Sequence, residues 1–145
     1  MPKKKNQAME NKTVVHRIQE EVLKKGKLEL IDELYSAEVV DHSNLPGFSP
    51  GREGIKQMIA MYRGVFDNAK VNVESMIAEG DEVISRCTIS GTHAGNYLGI
   101  APTGKHITIT VLGVDRVVDG KVVEHWEHFD PLVLMQLIGF MPSSE

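Results

Sequence analysis

The sequence predicts an α+β domain, and three observations carry that prediction. Apolar residues recur at helical spacing through the first 66 positions, whereas from Lys70 onward they alternate or cluster as strands do. Two turn signals, Glu79-Gly80-Asp81 and Asp119-Gly120, divide the second half into successive hairpins. Helices first and an antiparallel meander afterwards is the α+β pattern. At 145 residues the chain holds one domain with its own core and is too short for two ordinary ones.

The elements follow in order. Val14, Val15, Ile18 and Val22 mark one face of a first helix that stops near Lys25-Gly26, where basic residues and a glycine suit a C-terminus. A shorter helix over residues 28–35 buries Leu28, Ile31 and Leu34. Residues 37–43 read as extended, and residues 44–51 as a Pro/Gly loop. A third helix from about Pro50 presents Ile55, Met58, Ile59, Tyr62, Val65 and Phe66, the stripe of an amphipathic helix. Strands are predicted over residues 71–78, 83–93, 106–118 and 121–129, with residues 95–104 as a loop. Asp130-Pro131 then opens a short C-terminal helix through the apolar run 132–138. The organisation read from this is a frayed basic tail over residues 1–10, one domain over 11–140, and a tail over 141–145.

Composition excludes several function classes. The net charge of −4 argues against nucleic acid as the main partner. No apolar run approaches a membrane span and the N-terminus lacks the apolar core of a signal peptide, so the expected location is cytoplasmic. Cys87 stands alone, and its place in a strand-like run suggests a small buried hydrophobe. His125-Trp126-Glu127-His128 invites a metal reading, but residues three apart on a strand face opposite ways; neither metal nor cofactor is expected. Asp41-His42 fails as a dyad for the same reason. No nucleophile elbow, phosphate loop or dinucleotide fingerprint is present.

A two-residue turn at Asp119-Gly120 also sets register. With Val118 opposite Lys121, Val117 faces Val122, Asp115 faces Glu124 and Gly113 faces Trp126. One face of the ribbon then carries Asp115, Glu124, Trp126, His128 and Asp130; the other carries Arg116, Val123, His125, Glu127 and Phe129. A bulge would exchange part of this assignment.

The blocks GTHAGNYLGIAPTGKHITIT and DGKVVEHWEHFDPLVLMQLIG resemble the SnoaL-like polyketide cyclases, or ester cyclases, of the superfamily named for nuclear transport factor 2. GKLELIDELYSAEVVDH resembles the family's second helix and its following strand, and GREGIKQMIAMYRGVF its third helix, so the likeness runs nearly end to end. It implies a cone: three N-terminal helices against a curved, mostly antiparallel sheet, a short C-terminal helix, a deep pocket on the concave side, and a homodimer paired through the sheet. It also implies ring closure of a polyketide ester by intramolecular aldol chemistry, with an aspartate after the EHW strand as the acid–base. Asp130 holds that position.

Asp130 is accordingly the first candidate. A free aspartate titrates near ~3.9, so a base poised near neutrality needs its pKa raised by about 2, at roughly 1.4 kcal/mol each. A pocket beside Trp126 would supply that by desolvation. The competing reading is that Asp130 caps the helix beginning at Pro131. His128, two residues earlier on the same face, is read as its support, and His42 as a polarising group entering from the end of its strand. Trp126, Tyr62 and Phe66 are read as substrate-binding walls, with His93 and Tyr97 at the rim. Glu124 either faces the pocket mouth or pairs with Arg86 or Arg116. The expected partner is a small hydrophobic molecule. Two alternatives stay open: an isomerase or epoxide hydrolase built on Asp115, Arg86 and Asp130, and a dimeric binder without catalysis. Val123 and Phe129, read as apolar outer positions of the ribbon, support dimerisation.

Overall fold

A computed structural model describes residues 2–43 and 47–139; the expected tail over 141–145 lies outside the described residues. Helix α1 (Pro2–Arg17) runs directly into a π-helical segment (Ile18–Lys24). Of the stretch read as a basic tail, residues 2–10 are the first turns of α1: no glycine or proline interrupts the chain between Lys3 and Arg17, so nothing breaks the helix there. A 3₁₀ turn (Leu28–Leu30) leads to α2 (Ile31–Leu34), and Tyr35 already belongs to strand β1 (Tyr35–Asp41). Helix α3 (Gly51–Val65) follows, its C-terminal residue leading straight into β2 (Phe66–Glu79). Strands β3 (Glu82–His93), β4 (His106–Val118) and β5 (Lys121–His128) complete the sheet, and α4 (Pro131–Leu137) closes the chain.

The five strands are ordered β1-β5-β4-β3-β2. All neighbours are antiparallel except β1 and β5, which are parallel. The sheet is open at both edges and curves around the helices. Asp119 and Gly120 both take positive φ, 52° and 77°, which is the two-residue hairpin turn that matches the strands' right-handed twist.

Two apolar clusters hold the cone. One packs Val15, Ile18 and Val22 of the first helix against Ile31, Leu34, Ile55, Val83, Val117 and Val122. The other gathers Val65, Tyr97, Ile107, Leu134 and Ile138, and so holds α4 against the end of α3 and strand β4. Strand β4 shows how the concave face is chosen: Ile107, Val111, Gly113, Asp115 and Val117 are buried, while Thr108, Thr110 and Leu112 between them are exposed. Space remains between the two clusters.

Candidate active site

That space is a cavity with two lobes sharing Leu23, Met58, Ile59, Val71, Ile89, Val111 and Glu127 as common wall. The outer lobe, about 130 Å³, is bounded by Tyr62, Phe66, Ile107, Phe129 and Leu134. The inner lobe, about 60 Å³, reaches Gln19, Ser85, Cys87, Gly113, Asp115 and His125. Tyr62, near the end of α3, and Phe66, which opens β2 and does not continue the helix as its place in the apolar stripe predicted, both stand in this wall.

The polar group of the inner lobe is one that sequence register misplaced. Val117 faces Val122, as expected, but the pairing then shifts: Arg116 faces Glu124, Asp115 faces His125 and Gly113 faces Glu127. Val123 is the extra residue of a β-bulge. Regular pairing would have set the carboxylates of Asp115 and Glu124 side by side, which is repulsive. The bulge replaces that pair with a hydrogen bond of 2.7 Å between Asp115 Oδ1 and His125 Nδ1. On the other side of the ring, His125 Nε2 lies 3.8 Å from Glu127 Oε1. Asp115 and His125 are 5 % and 9 % exposed, so the pair is dry.

These contacts set the electrostatics. Burial opposes the charged form of His125, but Asp115 and Glu127 outweigh it and hold the imidazolium well above its ordinary pKa. Asp115 Oδ1 accepts the hydrogen bond from His125 Nδ1–H, so the Nε2–H is the one directed toward Glu127. Burial, then the charges of Asp115, Glu127 and Asp41, pushes the Tyr35 phenol well up. Burial, with Tyr97 beside it, does the same for Tyr62. The Cys87 thiol is also raised by burial, which leaves it a poor nucleophile. The cavity therefore offers an imidazolium between two carboxylates, enclosed by apolar walls.

The other sequence candidates lie elsewhere. Asp130 is exposed, and its Oδ1 accepts from Leu132 N at 3.0 Å and Val133 N at 3.3 Å. It is the N-cap of α4, with Pro131 behind it, and the desolvation expected of it does not occur. His128 is exposed as well. Trp126 and His42 meet on the convex face, their rings stacked at 4.6 Å and 10°. Glu124 joins them there, taking His42 Nε2 at 2.8 Å and Arg116 Nε at 2.8 Å. The bulge explains the β5 residues among them: it turns His125 and Glu127, with Phe129 just past the strand, to the concave side and leaves Glu124, Trp126 and His128 the convex one. Phe129 is thus a cavity wall, not an outer position of the ribbon.

His93 and Tyr97 do not rim a mouth. His93 is fully buried, its Nδ1 accepting from Thr103 N at 3.3 Å and facing Thr103 Oγ1 at 3.0 Å. Tyr97 is buried in the second apolar cluster between Tyr62 and Phe66. The trio Asp115, Arg86 and Asp130 is not assembled: Asp115 points into the cavity, whereas Arg86 and Asp130 are exposed. No group of three or more His, Cys, Asp or Glu placed to hold a metal occurs among the described residues, and no helix among them is long and apolar enough to cross a membrane.

Sequence reasoning missed Asp115, His125, Glu127 and Gln19 as a set. The signal for three of them was present. Alternation back from Val117 turns Asp115 inward, and the Asp115–Glu124 clash of regular pairing announces a bulge.

Known proteins share this architecture. TsrD from Streptomyces laurentii superposes with a TM-score of 0.83 at 21 % identity, over 92 % of this chain and 97 % of that one. AclR from Streptomyces galilaeus gives 0.83 at 27 % identity, over 95 % and 86 %. In sequence, the nogalonic acid methyl ester cyclase of Streptomyces nogalater is 25 % identical over 124 residues, 83 % of this chain and 92 % of that protein. The family model described as SnoaL-like polyketide cyclase matches residues 13–138. With the cone, the cavity and that match together, the chain belongs to the SnoaL-like polyketide cyclase family.

Proposed function

We propose that this protein closes a ring in a hydrophobic carbonyl compound by an intramolecular aldol-type step, with His125, Asp115 and Glu127 as its acid–base group. The observation that carries the reading is the buried imidazole set between two carboxylates on the wall of an apolar cavity. The Glu127 carboxylate removes a proton from a carbon between two carbonyls. The His125 Nε2–H donates to the enolate oxygen so formed, and Asp115 keeps the ring in that tautomer. The enolate carbon attacks a second carbonyl of the same molecule, and the proton held by Glu127 passes to the new alkoxide. One C–H bond and the π bond of the attacked carbonyl break, one C–C and one O–H bond form, and there is no net oxidation or reduction. The ester-cyclase name of the Streptomyces nogalater relative supports this substrate class.

The test is cyclisation of aromatic polyketide esters followed by chromatography and mass spectrometry. Glu127→Gln is expected to lower turnover by about a hundredfold or more, the scale of positioned proton transfer. Full turnover in that variant sinks the assignment.

Pairing of two chains through their sheets is part of the same proposal. Ile77, Ile84 and Leu112 lie on the convex face at 61 %, 46 % and 47 % exposure, apolar area that a second copy would cover. Sedimentation should give a dimer, and Leu112→Glu should shift it toward monomer; a wild-type monomer at micromolar concentration rules the pairing out.

A further inference from the structure

The first helix changes its winding where it meets the inner lobe. Ile18–Lys24 is π-helical, and such segments are frequent at functional sites. Gln19 lies in the first turn of this segment and lines the inner lobe beside Ser85, Cys87, His125 and Glu127. It is 6 % exposed. Its Nε2 donates to Ser85 Oγ at 3.0 Å and to Cys87 Sγ at 3.3 Å. Those bonds fix the amide plane and leave Oε1 a buried acceptor with no partner among the described residues.

Buried polar atoms are ordinarily paired, because an unmade hydrogen bond keeps its full desolvation cost. A residue needed only to fill the lobe would be a leucine or methionine. The neighbouring polar groups define what is missing. Asp115 is engaged with His125, and Glu127 faces the imidazolium. Gln19 Oε1 is a neutral acceptor on the same wall, and it calls for an uncharged donor.

Resting on the cavity as the active site, we propose that Gln19 Oε1 accepts a hydrogen bond from a hydroxyl of the bound molecule. The ligand class narrows accordingly to apolar compounds carrying a phenolic or enolic hydroxyl, not carbonyl oxygens alone. His125 reads an oxygen that accepts; Gln19 reads one that donates. A site built to bond a hydroxyl rejects the analogue lacking it, because its own polar atom is then left unpaired.

The experiment measures binding, not turnover. Dissociation constants for 2-naphthol, 2-methoxynaphthalene and naphthalene are compared in wild type and in Gln19→Met, which keeps length and apolar volume. In wild type, 2-naphthol should bind about tenfold more tightly than the other two, the worth of one buried hydrogen bond. In Gln19→Met that preference should fall to about twofold or less. In the wild-type protein alone, the Gln19 side-chain amide resonances should move on adding 2-naphthol and stay in place with the methyl ether, a readout that survives if the variant fails to fold. An undiminished preference in Gln19→Met, equal binding of the methyl ether, amide resonances that do not respond, or no binding of 2-naphthol at all each overturn the proposal. Should Glu127→Gln keep full turnover while the naphthol preference depends on Gln19, the acid–base reading fails and this one stands.

Discussion

Asp115 meets His125 at 2.7 Å across β4 and β5, and one inserted residue, Val123, makes the meeting possible. The pair is buried, and its members answer each other's charge where neither could be tolerated alone. Replacing Asp115 with alanine leaves the imidazole without the partner that fixes its tautomer. The expected cost is about 3 kcal/mol of unfolding free energy, measured by urea denaturation, since breaking a buried pair strands its other half. A change within error would show that the bond carries no stability.

The same pair sets a pH dependence. The folded-state pKa of His125 is raised, because Asp115 and Glu127 outweigh the burial that opposes its charge. Its stabilising contribution is therefore complete below the unfolded value, about 6.5, and is lost as pH rises through the folded one. The stability advantage of wild type over His125→Gln should shrink toward alkaline pH. An advantage that grows with pH would contradict the assignment.

Asp130→Ala separates capping from catalysis. Loss of both amide bonds at the start of α4 should cost about 1 kcal/mol. Turnover should stay within about threefold of wild type, far short of the hundredfold scale of a lost general base. A loss on that larger scale with the helix intact would return Asp130 to the chemistry.

Gly113 keeps the inner lobe open. A Cβ there would stand 3.5 Å from Ser85 Oγ and 3.9 Å from His125 Cε1, ordinary contact distances. Alanine should be tolerated, while valine would project into a space of about 60 Å³. We expect Gly113→Val to fold with stability within about 1 kcal/mol of wild type, strand propensity helping, and to lose ligand binding by about tenfold or more. Unimpaired binding in calorimetry would place the ligand elsewhere.

Much of the architecture was legible because it depends on local rules. The stripe Ile55–Ile59–Tyr62, the Asp119-Gly120 turn and the alternation of β4 each name their element without reference to the rest of the chain. Asp130-Pro131 was equally readable as a cap. The polar site was not, since it turns on which side of β5 faces the helices, and a single inserted residue reverses that for every side chain after it. Gln19 was hidden for another reason: it stands at the i+4 position from Val15, on the stripe of Val15, Ile18 and Val22, but a polar side chain there reads as a flank of the apolar face and not as part of a site.

By itself, then, the sequence determined the order of elements, the hairpins, the helical faces and the family likeness, all consequences of spacing along one strand or helix. The tertiary structure decided that His125 and Glu127, and not His128 and Asp130, stand inside. Two carboxylates brought together across a ribbon repel, and the chain relieves that repulsion by bulging at Val123, an energy that exists only once β4 and β5 have paired.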